Sequence, residues 1–260
     1  MVIEGRCKLC LEARELCRSH VLPEFGLDGL YSDPPRPRRF LALSGNPEPH
    51  AHGVKIEQKG LRERLLCAEC ETRLSRFETY VSRLLRDGLS LPTPGTMKRN
   101  LADYSLLKSF QFSLLWRTHL STARMFQVVD LGPHADRIRR MLLDENPGTA
   151  GQYPCAIGVA YLGTQARPGL VTPPFALKRE GRHWYVISFA GFNWIFLVSN
   201  DMERHTWRNW CVQEDGALPI YASDILRYDG FRELARDIIV KNLPALVRVG
   251  AIKDTETDTP

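Results

Sequence analysis

The sequence lacks the long apolar segments that membranes and export require. No run approaches the roughly 20 apolar residues of a membrane helix. The first residues include Glu4, Arg6 and Lys8, where an export signal has an apolar core. We therefore expect a cytoplasmic protein with no membrane partner.

Cysteine is scarce, and its number is odd. Seven cysteines cannot all pair, which argues against a disulfide framework. The chain also lacks an internal repeat and a glycine-rich phosphate loop, which excludes solenoids and Walker-type nucleotide sites. A net charge of +5 permits nucleic-acid binding without requiring it.

The 260 residues, 43% hydrophobic and 25% charged, are typical of globular proteins and sufficient for two domains. The stretch SLPTPGT at 90–96 interrupts a helical pattern with two prolines and a glycine. We predict an N-terminal domain at 1–90, a C-terminal domain at 97–252 and a disordered polar tail at 253–260.

The periodicity predicts an α+β protein. Apolar residues from 67 onward recur at helical spacing: Cys70, Leu74, Phe77, Val81 and Leu84. Further helices are predicted at about 103–128, from Pro133 to a stop at 146–148, and at about 230–242. Strands are predicted at 155–163, 175–179, 183–192 and 193–199, with a hairpin turn at 180–181. The C-terminal domain is thus expected to contain an antiparallel sheet with helices.

Four cysteines form two C-x-x-C pairs, Cys7 with Cys10 and Cys67 with Cys70. Four thiolates can close a tetrahedral Zn²⁺ shell, and the second pair opens a predicted helix whose N–H groups favour thiolates. We predict a structural zinc site. Two alternatives stay open: four buried cysteines without metal, and a competing C-x-x-H pair of Cys17 and His20.

The segments CKLC at 7–10, SHVLP at 19–23 and LLCAEC at 65–70 together resemble the HNH, or ββα-metal, nuclease family in its zinc-stabilised form. The resemblance covers about residues 5–86. It implies a treble-clef-like zinc domain in which His20 is the general base for water attack on a phosphodiester. It also implies a catalytic Mg²⁺ or Mn²⁺, with Glu71 as ligand where the family carries histidine or asparagine.

The chain departs from that family at Ser19, where many members carry an acid, and at Arg62, nearest the register of an asparagine. Glu71 can also be read as a favourable charge in a first helical turn. Glu78 is predicted to be a solvated residue of the helix, and Glu24 a further carboxylate near the cleft.

Four basic residues near the proposed site are candidates for binding phosphates: Arg38, Arg39, Lys59 and Arg62. The expected partner is nucleic acid, DNA first, in restriction or antiviral defence by analogy. A homo-oligomer or a protein partner of the C-terminal domain is left open. The alternative function is a non-catalytic zinc-binding adaptor for nucleic acid or protein.

Overall fold

The computed structural model describes residues 4–30, 40–43, 54–57, 60–162, 165–166, 171–179, 181–199, 206–224 and 236. Several sequence predictions fall outside them: the helix at 230–242 except for residue 236, the tail at 253–260, and Arg38, Arg39 and Lys59. The described part is mixed α+β, as the periodicity predicts.

Short strands precede the first helix. Strand β1 (Glu4–Arg6) pairs antiparallel with β2 (Ala13–Glu15), and the turn between them carries the first cysteine pair. Strand β3 (Arg18–His20) pairs antiparallel with β6 (Arg62–Arg64), and β4 (Phe40–Leu43) with β5 (Val54–Glu57). The second cysteine pair lies directly after β6.

Helix α1 (Ala68–Asp87) confirms the periodicity that begins at residue 67. Its buried residues are Cys70, Leu74, Phe77, Val81 and Leu84, which form one face. The helix ends at Gly88, whose N–H donates to the carbonyl of Leu84.

Helix α2 (Tyr104–Leu120) begins at Asp103, whose side chain accepts a hydrogen bond from the amide of Leu106. It ends eight residues before the predicted 128. The reason is Glu63, whose carboxylate binds the hydroxyl of Ser121 and the amide of Thr122 and so fixes an extended backbone there. A 3-10 turn at Arg124–Phe126 follows, and then α3 (His134–Leu143), close to its predicted bounds.

One large sheet fills the C-terminal part. Its strands are β7 (Met97–Leu101), β8 (Cys155–Leu162), β9 (Gln165–Ala166), β10 (Phe175–Arg179), β11 (Arg182–Phe189), β12 (Phe192–Val198) and β13 (Ala217–Asp224). The order is β10-β11-β12-β8-β13-β7, with β9 beside β8. All described pairs are antiparallel except β8 with β13, so the antiparallel sheet predicted for this part contains one parallel pair. The hairpin at 180–181 is confirmed by the pairing of Arg179 with Arg182.

A single cluster of buried apolar residues extends from Cys7 to Ile220 and includes α1, α2 and the sheet. The boundary at 90–96 therefore does not divide the hydrophobic core, although it separates α1 from β7. No helix in the described part of the chain combines the length and apolar character needed to cross a membrane.

Candidate metal centre and seam cluster

The two C-x-x-C pairs converge. The Sγ atoms of Cys7, Cys10, Cys67 and Cys70 all lie within 4.8 Å of one another, and those of Cys10 and Cys67 are 4.0 Å apart. Tetrahedral coordination with bonds of about 2.3 Å separates sulfurs by about 3.8 Å, so the four sulfurs lie within about 1 Å of the spacing that a zinc-sized ion requires. Among the described residues, only these four form such a group of three or more metal-binding side chains.

Backbone hydrogen bonds bring the pairs together. The amide of Lys8, inside the first pair, donates to the carbonyl of Leu65 over 2.9 Å. The amide of Cys67 lies 3.4 Å from the sulfur of Cys7. After the first pair, Leu11 takes a left-handed conformation with φ 66°, which closes the turn into β2. The turn and the start of α1 therefore present their sulfurs to one point.

The electrostatics of the cluster favour a bound cation. Burial raises the pKa of Cys70, and the neighbouring thiols raise it further. Burial also acts to raise the pKa of Cys7, but N–H groups aimed at its sulfur, that of Cys67 first, bring it down to about 7. Several thiolates in one buried space repel one another until a cation binds between them.

Cys17 and His20 do not join this group. The amide of Cys17 donates to the carbonyl of Leu66 over 2.8 Å, but its thiol is not among the four clustered sulfurs. The imidazole of His20 is instead bound by Glu24 and Arg62. The competing C-x-x-H ligand pair is therefore not assembled in this structure.

A second group of polar side chains lies where β3, β6 and α1 meet α2, and we call it the seam cluster. Its members are His20, Glu24, Arg62, Glu71, Glu78 and Arg117.

The Nε2 atom of His20 has two polar neighbours. This nitrogen lies 2.5 Å from a carboxylate oxygen of Glu24 and 2.7 Å from Nε of Arg62. A neutral imidazole has one N–H, so Nε2 either donates to Glu24 or accepts from Arg62. Burial, followed by the charge of Arg62, lowers the pKa of His20, and Glu24 only partly opposes this. The net effect favours the neutral imidazole.

Glu71 lies in the first turn of α1, mostly buried. Burial raises its pKa, while the hydroxyl of Ser19 and the charge of Arg117 act against that rise. Ser19 is itself buried, and its Oγ accepts from the amide of Leu66 over 3.2 Å. Within the described residues, Oε1 of Glu71 is buried without a hydrogen-bond partner. Such an oxygen can serve a hard cation.

Glu78 is not the solvated residue that its position on α1 suggests. Its side chain is only 23% exposed and accepts a hydrogen bond from Arg117, which is 1% exposed. The prediction failed because α2 packs against this part of α1, which helical periodicity alone cannot reveal. Arg117 was missed as well, although a lone arginine in the apolar run FQFSLLWR was a visible signal.

The predicted phosphate-binding residues are only partly described. Arg62 contacts His20, and its Nη2 lies 3.5 Å from a carboxylate oxygen of Glu24. A phosphate at Arg62 would have to compete with that carboxylate, so this role stays a prediction.

Comparisons of the chain with protein-family models, with curated proteins and with solved structures find no match.

Proposed function

We propose that the chain is an HNH-like, metal-dependent endonuclease that hydrolyses nucleic-acid phosphodiesters. The observation that carries the proposal is His20: an imidazole on β3, the second strand after the first cysteine pair, whose neutral form is favoured and which a carboxylate orients. A general base at pH 7 needs such an unprotonated, oriented imidazole.

The zinc-binding part of the proposal is a treble-clef-like domain. Its elements would be the β1–β2 turn with Cys7 and Cys10, the β3–β6 ladder with His20, and α1 with Cys67 and Cys70. Zinc bound by four thiolates has no open position for substrate, so its role would be to stabilise the fold.

The proposed chemistry assigns one step to each side chain. In the catalytic state, Glu24 would accept the N–H of Nε2, which requires the Nε–H of Arg62 to turn away from that nitrogen. Nδ1 is then left to take the proton from an attacking water. Glu24 then stabilises the imidazolium that forms. Glu71 would hold Mg²⁺ or Mn²⁺, and water and substrate phosphates would supply the remaining ligands. When bound, that ion stabilises the charge on the phosphate and the leaving oxygen.

The proposal predicts that His20→Ala strongly slows cleavage. Supercoiled plasmid and single-stranded RNA are incubated with wild type and variant in Mg²⁺ or Mn²⁺, and nicks or fragments are quantified. Without its base the variant should cleave at least about 100-fold more slowly.

A matched control is His183→Ala, which removes an exposed histidine on β11, away from the seam cluster. It should cleave like wild type. Equal cleavage by wild type and His20→Ala, or cleavage by neither, contradicts the nuclease proposal.

The second candidate is a non-catalytic zinc-binding adaptor for nucleic acid or protein. It is favoured by the ion pairs that already satisfy the charges of Arg62 and Arg117. For nucleic acid, this function predicts binding without cleavage, with an affinity that falls as salt rises and does not depend on His20. Fluorescence anisotropy with labelled DNA and RNA measures both.

A further inference from the structure

Arg117 lies C-terminal to the 90–96 break, whereas the other members of the seam cluster lie N-terminal to it. It lies in the last turn of α2, and its side chain is 1% exposed. A guanidinium cannot lose its proton, so burying it is unfavourable unless its charge and its donors are matched. The contacts of Arg117 therefore indicate what its burial achieves.

The two ends of the guanidinium bind different elements. Nη2 donates to the carboxylate of Glu78 on α1, and Nη1 donates to the backbone carbonyl of His20 on β3 over 2.9 Å. The same positive charge acts on Glu71. One side chain thus connects three members of the seam cluster.

The bond to His20 is the informative one. Joining α2 to α1 needs only the ion pair with Glu78. The second bond fixes the backbone of the residue that carries the imidazole, and the planar guanidinium holds both bonds at a set angle. Lysine carries the same charge on a single nitrogen and cannot reproduce that geometry.

We propose that Arg117 is a positioning residue of the His20 site, so that residues on both sides of the 90–96 break build one site. The inference rests on the proposed function for its catalytic meaning. Its structural part, that Arg117 sets the position of His20, stands by itself.

The experiment compares Arg117→Lys with wild type. We expect kcat to fall by roughly 10- to 100-fold with little change in KM, because a displaced base slows chemistry more than binding. In a His20→Ala background, Arg117→Lys should cause no further loss, since the residue it positions is gone. A second variant, Glu78→Gln, releases the other end of the guanidinium and should lower kcat in the same direction.

A control separates positioning from simple stabilisation of the helix pair. The hydroxyl of Tyr80 on α1 accepts a 2.5 Å hydrogen bond from the amide of Asp103 at the start of α2. Tyr80→Phe removes this bond between the same helices without touching His20. It should lower Tm and leave kcat unchanged. If Arg117→Lys and Glu78→Gln behave like Tyr80→Phe, the proposal is overturned.

A readout without cleavage keeps the two proposals apart. The His20 imidazole is titrated by NMR in wild type and in Arg117→Lys, where the charge is kept. Burial is the main cause of its lowered pKa, and the charged groups that act on it are Arg62, Glu24 and Glu78. A displaced His20 should titrate closer to its ordinary value. If wild type does not cleave but the pKa of His20 differs between wild type and Arg117→Lys, the nuclease proposal fails and the positioning role holds. If the folded variant has the same His20 pKa as wild type, the positioning role is overturned.

Discussion

Leu11 adopts a backbone conformation that leucine rarely takes. With φ 66°, it lies in the left-handed region, where a Cβ costs about 1–2 kcal/mol. Its amide donates to the carbonyl of Cys7, and its carbonyl accepts from Nε of Arg6 over 2.9 Å. The turn that carries the first cysteine pair thus forces this strain on the residue that follows it.

We predict that Leu11→Gly stabilises the folded protein. Removing the Cβ relieves the strain, and the added flexibility of the unfolded chain cancels part of the gain, so we expect up to about 1 kcal/mol. Denaturant unfolding measures it. Leu61, similarly exposed at 42% but outside the left-handed region, is the control: Leu61→Gly should destabilise. Equal losses in both variants would contradict strain at Leu11.

Lys108 is a second residue whose position in the fold is energetically unfavourable. It is fully buried in α2, its Nζ donates to the carbonyl of Tyr153 over 3.0 Å, and burial lowers its pKa to about 8. The unfolded chain, with an ordinary lysine pKa near 10.4, binds more protons between about pH 8 and that value. Burying the charged form of Lys108 is unfavourable, and this cost is relieved as the pH rises through that window. The free energy of unfolding therefore rises there, by about 3 kcal/mol in full.

We predict that wild type gains stability relative to Lys108→Met as the pH rises from 8 to 9.5. Burial raises the pKa of the two nearby thiols, Cys155 and Cys211, above this pH window, so the lysine dominates the difference between the two proteins. Denaturant unfolding at several pH values measures it. The control is Lys98→Met, an exposed lysine on β7, which should run parallel to wild type. A Lys108→Met curve parallel to wild type would contradict a lowered pKa.

At the scale of elements, patterns with one clear period were predictable and others were not. Helix α1 has one apolar face and was predicted almost to its ends. Strand β7 reads MKRNL and is mostly exposed, so it shows no alternation of apolar and polar residues. Strand β13 contains Pro219, and a proline argues against a strand that lies between two others. The end of α2 depends on Glu63, a residue distant in sequence, and could not be read locally.

The cysteine pairs connect the β1–β2 turn to the start of α1, so metal removal should act on both elements. We predict that the purified chain contains about one zinc ion, that Cys70→Ser loses most of it, and that chelation lowers Tm. Elemental analysis and thermal unfolding measure this. The control Cys17→Ser, outside the cluster, should keep its metal. Loss of as much zinc from Cys17→Ser, or no zinc in wild type, would contradict the predicted ligand set.

At the scale of the whole molecule, the break that the sequence shows at 90–96 does not correspond to a division of the hydrophobic core. Prolines and a glycine at 90–96 end one helix, yet the apolar residues on both sides pack into one cluster. The convergence of the four cysteines could be predicted because the C-x-x-C spacing of each pair is a local signal. Glu78 and Arg117 could not, because their pairing depends on how α1 and α2 pack.

The strand order of the sheet also determines when each strand can pair during synthesis. Strand β7 pairs with β13, and residues 102–216 separate the two in sequence. On the ribosome, β7 is made long before the strand with which it pairs, and β8 must likewise wait for its parallel neighbour. Closure of such distant contacts is slow. A chain truncated before Ala217 would leave both strands open for pairing with another molecule, so incomplete chains should aggregate.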